Sequence, residues 1–139
     1  MKIHIINGPN LNLLGKREKK IYGKHSFDVF LKSIQKKYST HKLEYFQSNI
    51  EGEIINYLQS IKKSDGIIIN AGGFTHTSVA IHDALKIVKY PVIEVHISNI
   101  TARESFRHTS LITPVSKGLI LGFGLKSYEL AVLAIIGSD

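Results

Sequence analysis

The sequence predicts an α/β fold, a parallel sheet of five strands covered by helices on both faces. Three observations predict it. Short runs rich in isoleucine and valine alternate with stretches of helical period along the chain. The central runs, IHII, GIIIN and VIEVHI, are apolar at most positions, as strands buried on both faces are. No linker, repeat or low-complexity tract interrupts the alternation, so residues 1–139 are expected to form a single domain.

The elements follow in order. Ile3 to Ile6 reads as the first strand. From Ser26, an N-cap, Phe27, Phe30, Leu31, Ile34 and Tyr38 recur at helical spacing. Leu43 to Ser48 alternates polar and apolar residues, as a half-exposed edge strand does. Ile50, Ile54, Leu58 and Ile61 mark a second helix, with Asn49 as its expected cap. Gly66 to Asn70 carries three consecutive isoleucines and forms the third strand. Thr77 to Val88 places Ile81, Leu85 and Val88 on one helix face, and Pro91 blocks its continuation. Val92 to Ile97 and Leu119 to Leu121 supply strands four and five. The last helix, Lys126 to Ile136, is apolar nearly all round, which predicts burial on one side and a subunit contact on the other. Right-handed crossovers leave few topologies for such a chain, and the flavodoxin-like three-layer sandwich is the commonest at this size.

Composition narrows the function. With no cysteine there is no disulfide, thiolate metal site or thiol nucleophile. No apolar run approaches the ~20 residues that span a bilayer, and MKIHIINGPN lacks the pattern of a secretory signal. A cytoplasmic location with no membrane partner is therefore expected. The net charge of +7 fits an anionic partner. The basic residues are scattered as KREKK, QKK and IKK without interleaved aromatics, so nucleic acid is not the expected one.

In open parallel sheets, ligands bind beyond the carboxyl ends of the strands. The unusual residues fall there. After strand one comes NGPNLNLLGKREKKIYG, which holds Asn10, Arg17 and Tyr22 and exceeds the ~12–15 residues beyond which irregular loops are uncommon and often functional. After strand three comes NAGGFTHTS, with Asn70 and His76 around two glycines. Strand four places Glu94, His96 and Ser98 on one face, where a carboxylate fixes the tautomer of an imidazole and raises its basicity. A hydrogen-bonded core histidine is the simpler alternative. ARESFRH sets Arg103 and Arg107 four apart, suited to carboxylate recognition; an ion pair with Glu104 is the alternative for Arg103. No P-loop, HExxH or GxSxG occurs, and GFGLKS has Ser127 where a dinucleotide fingerprint needs its third glycine. What remains is acid/base chemistry on an anionic small molecule, or an anion-binding module built on the same crevice.

The motifs NGPNLNLLG, RExxxYG at Arg17 to Gly23, NAGGFTHTSVA, HDAL, EVHISN and RESFRH together resemble the type II 3-dehydroquinate dehydratases. The resemblance runs from about Lys2 to Ile136. It implies a single catalytic domain that dehydrates 3-dehydroquinate without metal or cofactor and assembles as a homododecamer of trimers. It further implies Tyr22 as general base, Arg17 as its activator and Asn10 as holder of a water at the enolate. His96 would be the general acid and Glu94 its orienting partner. Asn70, Ile97 and Ser98 would hold the substrate carboxylate, His76 and Arg107 the ring hydroxyls, and Asp83 would reach a neighbouring subunit's site. His82 and Ser127 depart from residues common in that family, arginine and glycine respectively.

Overall fold

Period two sorts the apolar residues of the central strands between two cores. The computed structural model describes residues 1–16 and 26–138, with five strands and four α-helices that alternate except for the 3₁₀ turns joining the last two strands. The strands are β1 (Lys2–Asn7), β2 (Lys42–Gln47), β3 (Gly66–Asn70), β4 (Val92–His96) and β5 (Gly118–Leu121). The helices are α1 (Phe27–Lys37), α2 (Glu51–Ser60), α3 (Val79–Ile87) and α4 (Lys126–Ile136). On one face Ile3, Ile5, Ile68, Ile93 and Val95 pack with Phe27, Leu31 and Ile34 of α1 and Tyr128, Ala131, Val132 and Ile135 of α4. On the other, Ile6, Ile67, Ile69 and Val92 pack with Ile54 and Leu58 of α2 and Ile81 and Leu85 of α3. Burying both faces is what makes β3 and β4 apolar at most positions.

All strand pairs are parallel, in the order β2-β1-β3-β4-β5. This is the flavodoxin-like order, whose reversal point lies between β1 and β3. There the register sets Asn7 opposite Asn70 at the two carboxyl ends.

Several local expectations shift. Asn49 does not cap α2. Its side chain accepts from Asn10 N–H at 3.0 Å, while Ser48 Oγ accepts from Ile50 N–H at 2.9 Å and donates to Glu53. The third helix begins later than Thr77, because Gly72–His76 winds as a 3₁₀ helix and Ser78 Oγ caps α3 by accepting from Ile81 N–H. β4 ends at His96, one residue before Ile97. Ser127 is buried, and its hydroxyl accepts from Phe123 N–H at 3.2 Å in the turn before α4. α4 buries Tyr128, Ala131, Val132 and Ile135, while Leu133 stays exposed. No helix among the described residues is long and apolar enough to cross a membrane.

Candidate active site

A cavity of about 120 Å³ opens at the carboxyl ends of β1, β3 and β4. Asn10, Asn70, His76, His96, Ser98 and Arg107 are in its lining, with Ile97 and Arg103 beside them. Three loops that are distant in sequence thus meet as the strand-end rule requires.

Close backbone packing shapes one wall. Gly8 N–H donates to Asn70 O at 2.7 Å, and a Cβ at Gly8 would stand 2.4 Å from Ala71 O. Gly72 has φ +58°, and a Cβ there would lie 3.1 Å from Pro9 O. Only glycine admits both approaches. Asn10 also adopts a left-handed conformation, φ 69°, which asparagine tolerates better than most residues.

His96 enters the lining backed by a buried acid. His96 Nε2 donates to Glu94 Oε1 at 2.9 Å. Ser110 Oγ donates to the same oxygen at 2.6 Å, and the Thr113 hydroxyl donates to Oε2. Glu94 is fully buried. Burial pushes its pKa up, but the bonds from His96, Ser110 and Thr113 outweigh this and hold the carboxyl below its ordinary range. A carboxylate that accepts Nε2–H leaves Nδ1 as the position for proton exchange with a ligand. The bland alternative of a merely satisfied core histidine leaves out the cavity that His96 lines.

The other groups are equally fixed. Asn70 Oδ1 accepts from Gly72 N–H at 3.1 Å, and Nδ2 donates to the Tyr128 hydroxyl at 2.8 Å, leaving one amide hydrogen for a ligand. His76 Nδ1 donates to Thr109 O at 2.8 Å, which sets its tautomer. The close ion pair of Glu104 is with Arg107, whose Nε stands 2.6 Å away, rather than with its neighbour Arg103 at 3.9 Å. Arg103 Nη1 instead donates to Ser98 Oγ at 3.3 Å. His82 Nδ1 donates to Leu111 O at 2.5 Å, tying α3 to the segment that carries Ser110 and Thr113. Asp83 stands exposed on α3 and does not line this cavity. Arg17 and Tyr22 lie outside the described residues. Among the described residues no three His, Asp or Glu side chains gather as metal ligands would.

Ser110, Thr113, Tyr128 and Asn7 were not expected from the sequence. A tyrosine in an otherwise apolar helix, whose hydroxyl must find a buried partner, was the one available signal. Hydroxyls 16 and 19 residues beyond Glu94 carried none.

Known proteins share this architecture. The family model described as Dehydroquinase class II matches residues 1–136. A 3-dehydroquinate dehydratase of Fusobacterium nucleatum is 56% identical over 143 residues, covering 98% of this chain and 97% of that protein. One from Caldicellulosiruptor bescii is 56% identical over 138 residues, covering 96% and 95%. The crystal structure of a type II dehydroquinase from Butyrivibrio crossotus superposes with a TM-score of 0.95 at 47% identity, covering 99% of this chain and 98% of that one. With a family match spanning nearly its whole length and a site at the same strand ends that its motifs predicted, the chain belongs to the class II dehydroquinases.

Proposed function

We propose that this chain, as one catalytic domain, dehydrates 3-dehydroquinate to 3-dehydroshikimate by anti elimination through an enolate, in the shikimate route or in quinate breakdown. The observation that carries the reading is His96, paired with the buried Glu94, in the lining of a cavity also lined by Asn70, His76, Ser98 and Arg107. Tyr22 removes the proton from the carbon next to the ketone. An ordinary tyrosine has a pKa of about 10. In this reading the Arg17 guanidinium favours the phenolate, as an adjacent cation lowers such a pKa by about 1–3, and brings it into the range of a general base. Asn10 holds the water that supports the enolate oxygen. His96, oriented by Glu94, then gives a proton to the departing hydroxyl. Asn70, Ile97 and Ser98 receive the carboxylate and His76 and Arg107 the ring hydroxyls. The proton that Tyr22 takes returns through solvent to His96 Nδ1, so the net change is the loss of one water from the substrate.

Asp83 belongs to the assembly part of the proposal: a cytoplasmic homododecamer of trimers in which Asp83 of one subunit reaches a neighbour's cavity. Its exposure on α3, away from its own cavity, fits that role. The exposed Leu133 of α4 offers apolar surface of the kind a subunit contact covers.

Mixing the purified protein with 3-dehydroquinate and following the ultraviolet absorbance of the conjugated product tests the reaction. Turnover supports it; none from folded protein refutes it. Undiminished turnover by Tyr22→Phe refutes the assignment of the base. Light scattering that finds a monomer refutes the assembly.

A further inference from the structure

Asn70 is the most buried polar side chain in the cavity lining, and what aims its amide lies outside the site. Its Nδ2 donates to the Tyr128 hydroxyl at 2.8 Å; that hydroxyl donates to Asn7 Oδ1 at 2.7 Å; Asn7 Nδ2 donates to the Tyr45 hydroxyl at 3.2 Å. Tyr128 and Asn7 are fully buried, and Asn70 is nearly so. None of these three side chains can exchange its partner for water.

The chain has a fixed direction. Gly72 N–H, a backbone donor that cannot turn, requires Asn70 to present Oδ1 to it, so Nδ2 faces Tyr128. With Nδ2 donating, the Tyr128 hydroxyl must point its proton the other way, to Asn7. Burial pushes the Tyr128 phenol far up, against the opposing bonds from Asn70 and Asn7, so it keeps that proton. An amide turned by a half rotation would set NH₂ against Gly72 N–H and leave a carbonyl facing a hydroxyl whose proton is already given. Both errors cost a buried hydrogen bond.

We infer that Tyr128, through the directional chain from Gly72 N–H to Asn7, is a positioning residue that holds Asn70 with an N–H ready for the anionic group of the substrate. The inference rests on the proposed dehydratase reading, in which Asn70 meets the substrate carboxylate. It assigns the last helix a part in recognition: α4 carries no residue that lines the cavity, yet its Tyr128 hydroxyl holds in place the amide that Gly72 N–H orients.

The test is a double-mutant cycle with 3-dehydroquinate. Tyr128→Phe keeps the ring and its edge contact with Phe27, whose centroid lies 4.9 Å away, and removes only the hydroxyl. The expected result is a loss of about tenfold in kcat/KM in the native background and under about twofold in an Asn70→Ala background, since a residue acting through another loses its effect when that other is gone. Reading the same cycle as the Kd of 3-dehydroshikimate keeps it measurable where Asn70→Ala turns over slowly. Equal losses in both backgrounds, or no loss in the native one, overturn the inference, because a purely structural role would be additive. If Tyr128→Phe does not fold, Asn7→Ser breaks the chain at its next link and is read by the same cycle. The two layers fail differently: an inactive native protein refutes the dehydratase reading and the inference with it. An active one with an additive cycle refutes the inference alone.

Discussion

His4 on β1 and His96 on β4 are both buried on the sheet, and each has a carboxylate nearby, yet their surroundings differ in kind. His96 meets Glu94, which is fully buried and receives two further hydroxyl donors. His4 meets Glu44 only at 3.6 Å, and that carboxylate is partly exposed and shared with Lys2 and Lys42 at 3.3 and 2.8 Å. The closer partner of His4 is the Tyr57 hydroxyl at 2.9 Å. Burial pushes the His4 pKa down, and the attraction of Glu44 does not make up for it. A buried histidine is therefore no sign of chemistry by itself. What distinguishes the one beside the cavity is a fully buried carboxylate, held by two hydroxyls and paired with no lysine among the described residues.

The comparison breaks first at His96. His96→Ala should lower kcat by about 10²–10⁴-fold if the imidazole is the general acid, with the circular dichroism spectrum unchanged. A loss under tenfold would place it with His4 as a core residue. Glu94→Gln comes next, because it keeps the shape but withdraws the charge that orients His96. Its kcat should fall one to two powers of ten, about 1.4 kcal/mol for each. A kcat equal to that of the native protein would remove Glu94 from the mechanism.

Thr113→Val probes the support of the carboxylate. It should cost about 1 kcal/mol at neutral pH, read from the midpoint of urea unfolding. The folded pKa of Glu94 is depressed, so its stabilising share is present above the ordinary carboxylate range and is lost as pH falls through the folded value. The gap between native and variant should accordingly narrow in acid. A gap independent of pH would mean that Thr113 serves packing alone.

His4→Gln closes the series. Since the folded pKa of His4 lies below 6.5, the unfolded chain takes up the proton first, and stability declines as pH drops below that value. The variant should lose this component of the decline in thermal midpoint between pH 7.5 and 5.5. Its kcat/KM should stay within about twofold of native, as expected for a change away from the reacting groups.

The strands, their parallel pairing and the cluster of Asn70, His76, His96 and Arg107 were legible in the sequence because each depends on periodicity or on strand-end placement. Period two put Glu94 and His96 on one face, and burial on both sides marked β3 and β4. The partners that complete the site were not legible. Ser110 and Thr113 reach Glu94 across a turn with no repeating pattern, and serine and threonine occur everywhere on surfaces. Asn49 matched the composition of a cap, but α2 starts from Ile50 with no side-chain cap, and Asn49 accepts from Asn10 N–H instead. Glu104 lies nearer Arg103 in sequence and nearer Arg107 in space, because consecutive 3₁₀ turns at Ile100–Ala102 and Ser105–Arg107 redirect the chain between them.

Gly8 has a consequence for redesign. The turns after β1 and β3 touch there through main chain alone, so that wall of the crevice cannot be moved by exchanging side chains. A library that seeks room for a bulkier ring acid has its freedom in lining side chains to which no substrate contact is assigned, such as Leu11 and Ile100. Randomised codons at positions 8 and 72 should return glycine, whatever substrate the selection rewards.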